Sequence, residues 1–365
     1  MASFPTPDPS FDRMEISEIQ VDGYQKVARC RDEASGLHAI VAIHDTTLGP
    51  ALGGMRMLPY VSEDEALYDV LRLSKGMTYK SAVADTGLGG GKSVIIGDPS
   101  TAKSPDLFRA MGRFIDSFDG QYITAEDMNI GIPDLEHVKE GTKWVVGLSR
   151  ESGSSGNPSP YTARGCLMGM RAVIHEVWGT EDFAGKRVLI QGIGAVGGRL
   201  AVMLKEQGAE VLITDIASDR VAAMSEEHGF QTVEHDGHES TDCDIYAPCA
   251  RGAGINDDTI PSLRCKAVAG CANNQLAEPR HAVELKERGI LYAPDYVLNA
   301  GGIINVSEEL RPGGYDEPRA LERIARIDDQ LRQVFEISRT KDIDTREAAA
   351  RLAELRLEQG REAKA

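Results

Sequence analysis

A chain of 365 residues is long for one domain and comfortable for two. Its 41% hydrophobic and 27% charged content is ordinary for a globular protein, and no run of about 18 apolar residues could span a bilayer. A formal net charge of −17 argues against nucleic acid or an anionic membrane as partner, and six cysteines without a C-x-x-C suggest neither a zinc site nor a disulfide framework but a reducing cytoplasm.

Taken in chain order, the opening MASFPTPDPSFDRMEIS has no basic-then-apolar leader and reads as a flexible lead-in. LHAIVAIHD (37–45) reads as a strand. SEDEALYDVLRLSKGMTYKSA reads as a helix: Ser62 and Glu65 form a capping box, and Leu67, Val70, Leu71 and Met77 recur at helical spacing. KSVIIGD (92–98) reads as a further strand. SRESGSSGNPSP (149–160), rich in Ser, Gly and Pro, reads as a hinge between two α/β halves. Beyond it, strand-like runs at 186–192, 209–215, 243–250, 266–270 and 290–296 are mostly separated by helical segments, the pattern of a doubly wound parallel sheet. Leu321, Ile324, Ile327, Leu331, Val334 and Phe335 then continue at helical spacing. The expected domains are therefore 1–148 (α/β, substrate and catalysis), 149–160 (hinge), 161–315 (dinucleotide binding) and 316–365 (a helical tail partly packing back on the first domain).

VLIQGIGAVGGRLAVMLKEQGAEVLITD carries the most specific local motif. Gly192, Gly194 and Gly197 fall in a G-x-G-x-x-G between a strand and a helix, with Ala195 and Val196 inside the loop and Asp215 ending the next strand. Glycines let the backbone approach a pyrophosphate at the helix N-terminus. An acid about twenty residues on accepts the adenine ribose hydroxyls and repels a 2′-phosphate, so NAD is expected rather than NADP.

ADTGLGGGKSVIIGD (84–98) resembles a P-loop, but Thr86 occupies the position of its first glycine and an apolar strand follows the lysine. With the nucleotide assigned elsewhere, Lys92 is free for other chemistry. Its dense glycines signal a close backbone approach or an unusual turn, and a lysine there is partly desolvated, which lowers its pKa.

LGPALGGMRM, GMTYK, GGGKSVIIGDP, YITAEDM, GNPSP, IYAPCA, ANNQL and APDYVLNAGGIINV together resemble the glutamate/leucine/phenylalanine/valine dehydrogenases, most closely the leucine enzymes, over about residues 25–310. The resemblance implies two α/β domains with the active site in the cleft between them. It implies that Lys80 binds the amino acid α-carboxylate, that Lys92 is the catalytic lysine, and that Asp127 exchanges protons with the amine. Asn273 and Asn299 would line the cleft near nicotinamide and substrate, Thr162 would contact the nicotinamide amide, and Ala247 and Cys249 of IYAPCA would lie against the cofactor. Gly53, Gly54 and Met77 would border the substrate. Closed homo-oligomers, from dimer to octamer, are implied as well.

The chemistry suits these residue types. Hydride leaves the substrate Cα, giving an iminium that water attacks. A lysine whose pKa has fallen from about 10.4 towards 7–8 can take that water's proton and return it. Where glutamate enzymes place a lysine and a serine for the γ-carboxylate, this chain has Leu52 and Val306. With Ala125 and Ile303 these make an apolar pocket that favours leucine, valine or isoleucine. The expected products are a 2-oxo acid and ammonia. Phenylalanine dehydrogenase, a P-loop ATPase and a non-catalytic NAD-binding regulator are the alternatives.

Overall fold

The computed structural model describes residues 14–364, and its first strand, β1 (Glu15–Glu18), stands inside the stretch expected to be a flexible lead-in. All four residues are exposed, so no apolar pattern marks them; antiparallel backbone pairing with β2 (Lys26–Asp32) supplies the order instead. Residues 1–13 of that stretch lie outside the described residues. The chain then forms β3 (Leu37–Asp45), β4 (Ala51–Leu58), α1 (Glu63–Val83), β5 (Gly89–Ile96), α2 (Pro105–Asp116), β6 (Tyr122–Glu126) and α3 (Ile132–Lys139).

These strands make a six-stranded sheet in the order β1-β2-β3-β5-β4-β6. Its first half is antiparallel, while β5, β4 and β6 run parallel. Helix α1 covers one face, where Ala66 and Val70 meet Val27, Ile40, Ala42 and Val94. Helix α2 covers the other with Phe108, Met111 and Phe114 against Met55, Met57 and Ile95. α1 starts where the cap residues put it. Ser62 Oγ accepts from the Glu65 N–H at 3.1 Å, but Glu65 reaches back to the Val61 N–H rather than that of Ser62.

The later half of the chain contains α4 (Ser159–Trp178), β7 (Arg187–Gln191), α5 (Gly197–Glu206), β8 (Glu210–Thr214), α6 (Ser218–His228), β9 (Gln231–Thr232), β10 (Ile245–Pro248) and β11 (Ala267–Val268). It continues through α7 (His281–Glu287), β12 (Leu291–Tyr292), α8 (Asp295–Leu298), α9 (Gly301–Ser307), α10 (Glu317–Ala325), α11 (Ile327–Lys341) and α12 (Thr345–Glu362). The sheet order is β12-β11-β10-β7-β8-β9, and every pairing is parallel. Such a sheet, buried on both faces, demands the continuous apolar runs seen in the sequence. The wholly buried Glu308, bound by Arg319 and Arg323, fixes the end of α9.

The chain divides into two units. The first runs to Gly156 and includes the residues from Gln359 on; the second is Asn157–Glu358. Within the first, Arg361 at the chain's end pairs with Asp45 at 3.2 Å.

Candidate active site

Of the two reasons expected for the glycines before Lys92, a close backbone approach or an unusual turn, the structure shows the first: Gly89, Gly90 and Gly91 are the first residues of strand β5, and Lys92 stands inside it. The cause is close packing. A Cβ on Gly90 would lie 2.0 Å from the backbone nitrogen of Thr78 in α1, so only glycine lets that helix rest on the strand there. Because the strand runs on through Lys92 to Ile96, no helix N-terminus follows the lysine, as a P-loop would need.

Strand alternation places Gly90, Lys92 and Val94 on the face covered by α1. The parallel registers Leu52 to Gly90, Arg56 to Val94 and Gly54 to Ala125 bring Leu52, Gly54, Arg56 and Ala125 to that same face. A Cβ on Gly54 would come within 2.8 Å of the Asp127 Cβ, so its bareness seats Asp127 against β4. Gly53 is equally confined, its Cβ position lying 1.7 Å from the Gly91 carbonyl oxygen. Met77 and Lys80 sit half-buried in the last two turns of α1.

Lys92 is 6% exposed. Its Nζ lies 2.8 Å from Asp127 Oδ2, and Arg56 Nε donates to the same oxygen at 3.0 Å. Arg56 Nη1 continues to Asp69 Oδ2 at 3.1 Å, where the Tyr60 hydroxyl also donates at 2.8 Å. Burial pushes the Lys92 ammonium below the ordinary lysine pKa, and the Asp127 charge opposes that without cancelling it. For Asp127, burial alone would raise the carboxyl, but Lys92 and Arg56 hold it below its usual range. The site therefore sets an acid favoured in its ionised form beside a lysine whose charged form burial disfavours.

Arg56, Asp69 and Tyr60 were not singled out from the sequence. For Arg56 the signal was there: two residues beyond Gly54, period-two alternation puts it on the lysine's face. Asp69 and Tyr60 carried no such mark.

The second unit holds a different cradle. Gly192 sits at φ +94, and a Cβ there would strike Ala250; one on Gly197 would lie 2.0 Å from the Gly192 carbonyl. A Cβ on the exposed Gly194 would meet nothing within 4 Å, leaving the open side of the loop, with Ala195 and Val196, ahead of α5. Asp215, directly after β8, is 9% exposed and accepts from the Ile193 N–H at 2.9 Å and from Arg220 at 3.2 Å. These features fit a dinucleotide: an open glycine for the pyrophosphate and a fixed carboxylate for a ribose. Asn299 is buried and donates to Asn273 Oδ1 at 2.8 Å and to the Cys271 carbonyl at 3.2 Å. Thr162, in the first turn of α4, donates to the Pro158 carbonyl at 3.1 Å. Ala247 is buried in β10, and Cys249 follows it with Sγ accepting from the Cys271 N–H. Val306 is buried and Ile303 half-buried on α9.

Comparison with known proteins identifies the family. Residues 22–144 match the family model "Glu/Leu/Phe/Val dehydrogenase, dimerisation domain", and residues 213–364 match "Glutamate/Leucine/Phenylalanine/Valine dehydrogenase". A leucine dehydrogenase of Geobacillus stearothermophilus is 51% identical over 341 residues, covering 93% of this chain and 92% of that one. A phenylalanine dehydrogenase of Thermoactinomyces intermedius is 48% identical over 337 residues, covering 92% of each. Among solved structures, the L-tryptophan dehydrogenase of Nostoc punctiforme superposes with TM-score 0.84 at 42% identity, covering 93% of this chain and 97% of that one. With two α/β units, a buried lysine paired with an aspartate in one and a glycine loop facing a fixed carboxylate in the other, this chain belongs to the Glu/Leu/Phe/Val dehydrogenase family, enzymes that work with a nicotinamide cofactor.

Proposed function

We propose that the chain oxidatively and reversibly deaminates branched-chain L-amino acids, leucine, valine and isoleucine, to 2-oxo acids and ammonia with NAD. The observation that carries this reading is the buried Lys92, paired with Asp127, on a face shared with Leu52 and Ala125. It is supported by relatives named leucine dehydrogenase at about half identity over nearly the whole chain.

A nicotinamide dinucleotide, which Gly192, Gly194, Gly197, Asp215, Thr162, Ala247, Cys249, Asn273 and Asn299 would hold, would supply the hydride acceptor through its nicotinamide ring. Lys80 binds the substrate α-carboxylate, and Gly53, Gly54 and Met77 border it. Neutral Lys92 takes a proton from the water that attacks the iminium carbon, and its ammonium then stabilises the new oxygen as the carbinolamine collapses. Asp127 accepts and returns the amine's proton. For the substrate side chain we assign Leu52 and Ala125 in the first unit and Ile303 and Val306 in the second. A γ-carboxylate buried against these without a partner costs about 3–5 kcal/mol, which disfavours glutamate. NAD is assigned over NADP because Asp215 would repel a 2′-phosphate. A cytoplasmic homo-oligomer, dimer to octamer, completes the proposal; the match to a dimerisation domain and the free state of all six cysteines support it.

NADH formation measured across the amino acids tests it, with Lys92→Ala alongside. Leucine, valine and isoleucine should be oxidised with turnover reduced at least 100-fold in the variant, the usual worth of a positioned acid–base group being about 10²–10⁴. Undiminished turnover in Lys92→Ala would refute the mechanism. A second reading, an aromatic amino acid dehydrogenase, is favoured by the 48% and 42% identities to phenylalanine and tryptophan enzymes. A higher kcat/KM for phenylalanine than for leucine would select it.

A further inference from the structure

Arg56 has no part in the machinery assigned above, yet it shares an oxygen with it. Asp127 Oδ2 lies 2.8 Å from Lys92 Nζ and 3.0 Å from Arg56 Nε, so one carboxylate oxygen serves two cations. Arg56 in turn serves two anions, reaching Asp69 Oδ2 at 3.1 Å. The side chains of Lys92, Arg56, Asp69 and Asp127 are 7%, 15%, 15% and 27% exposed, so water screens this alternating row of charges poorly. An exposed ion pair of the same geometry would count for little.

We infer that Arg56 is a positioning residue that meters the hold of Asp127 on the Lys92 ammonium, with Asp69 setting how much of Arg56 reaches Asp127. The inference rests on the reading of Lys92 as the acid–base group. Arginine suits the task because its guanidinium stays charged across any assay pH and its fork spans two carboxylates at once. Lysine at the same place would offer a point charge to one of them. The charged and titratable groups on the elements packed against β5 are Arg56 on β4, Tyr122 and Glu126 on β6 with Asp127 just beyond, Glu63, Asp64, Glu65, Tyr68, Asp69, Arg72, Lys75, Tyr79 and Lys80 on α1, and His38, His44 and Asp45 on β3, with Tyr60 between β4 and α1. Against the burial that disfavours the Lys92 charge, Asp127 and Asp69 favour the ammonium, while Arg56 opposes it.

The bland account is that Arg56 merely ties β4 to α1. The two accounts part in the pH profile. kcat/KM for leucine rises as Lys92 loses its proton, and the substrate ammonium contributes equally in every variant. With Arg56→Met the carboxylate is undivided, the ammonium is held longer, and the rising limb moves to higher pH by about one unit, roughly a tenfold loss at a pH on that limb. With Asp69→Asn, Arg56 turns wholly to Asp127 and one anion is lost, so the limb moves to lower pH. Arg56→Lys restores part of the shift. Thermal unfolding checks that each variant is folded; should Arg56→Met not fold, the direction of the Asp69→Asn shift decides alone. Opposite shifts establish the role. Activity lost with the limb unmoved, or both limbs moving the same way, overturns it. An enzyme that needs Lys92 but ignores Arg56 loses only this inference, whereas one that turns over without Lys92 loses the acid–base reading itself.

Discussion

On the proposed reading, Asp215 is the one side chain that would choose the cofactor. Its carboxylate is nearly buried, and burial would raise its pKa. The N–H groups of Ala217 and Ile193, with Arg220, outweigh that and hold it below the usual range, so it is ionised at any assay pH. Asp215→Ser should therefore relax the choice between cofactors. The ratio of kcat/KM for NAD over NADP is expected to fall tenfold or more, about 1.4 kcal/mol. An unchanged ratio would mean that the ribose is read elsewhere. The glycine fingerprint made Asp215 legible in the sequence, since strand, loop and helix lie within one short stretch. Arg220 was not, because only the turn into α6 brings it back onto the carboxylate. Lys92 was legible through its glycines, which mark a close backbone approach and not a turn.

At the scale of elements, α1 does the positioning: it carries Asp69, Met77 and Lys80 and lies against the strand that carries Lys92. Two of its glycine contacts should behave in opposite ways. Gly90→Ala forces a methyl onto the Thr78 backbone and should cost about 1–3 kcal/mol, together with activity. Gly76→Ala, inside α1 with nothing within 4 Å of the new methyl, should stabilise by about 0.5–1 kcal/mol. Melting temperatures of the two variants compare these directly; equal shifts would sink the packing account. The start of α1 is fastened by Glu63, whose carboxylate meets Arg29 at 2.8 Å, Arg31 at 2.7 Å and His38 at 2.9 Å. Arg29, then Arg31, pull its pKa down to about 2. A carboxyl lowered on folding lends stability that is whole above its unfolded pKa, near 4.5, and is lost as pH falls towards 2. Urea unfolding of Glu63→Gln should show a deficit at pH 7 that shrinks between pH 4.5 and 2. A deficit constant over that window would exclude the charge as its cause. The Ser62 cap foretold where α1 begins, but not that β2 and β3 supply the partners for its first residue.

At the scale of the whole molecule, the two kinds of chemistry belong to different units: Lys92, Asp127 and Arg56 to the first, and the glycine loop with Asp215 to the second. NADH should therefore raise the melting temperature of Lys92→Ala about as much as that of the wild type, even though turnover is gone. If the variant gained no stability from NADH, the separation of roles would fail. The sequence by itself marked β3, α1 and β5, the strands β7, β8, β10, β11 and β12 and the glycine loop, because apolar periodicity, caps and glycine spacing are properties of neighbouring residues. It also marked Lys80, Lys92 and Asp127 through motifs that resemble those of the family. The exposed strand β1 escaped it, since backbone pairing orders residues that bury nothing. Tertiary structure alone decided the company that Lys92 keeps. Positions 56, 69, 92 and 127 come from two strands, a helix and a loop, and only sheet register and the seating of α1 on glycine bring their charges to one buried place.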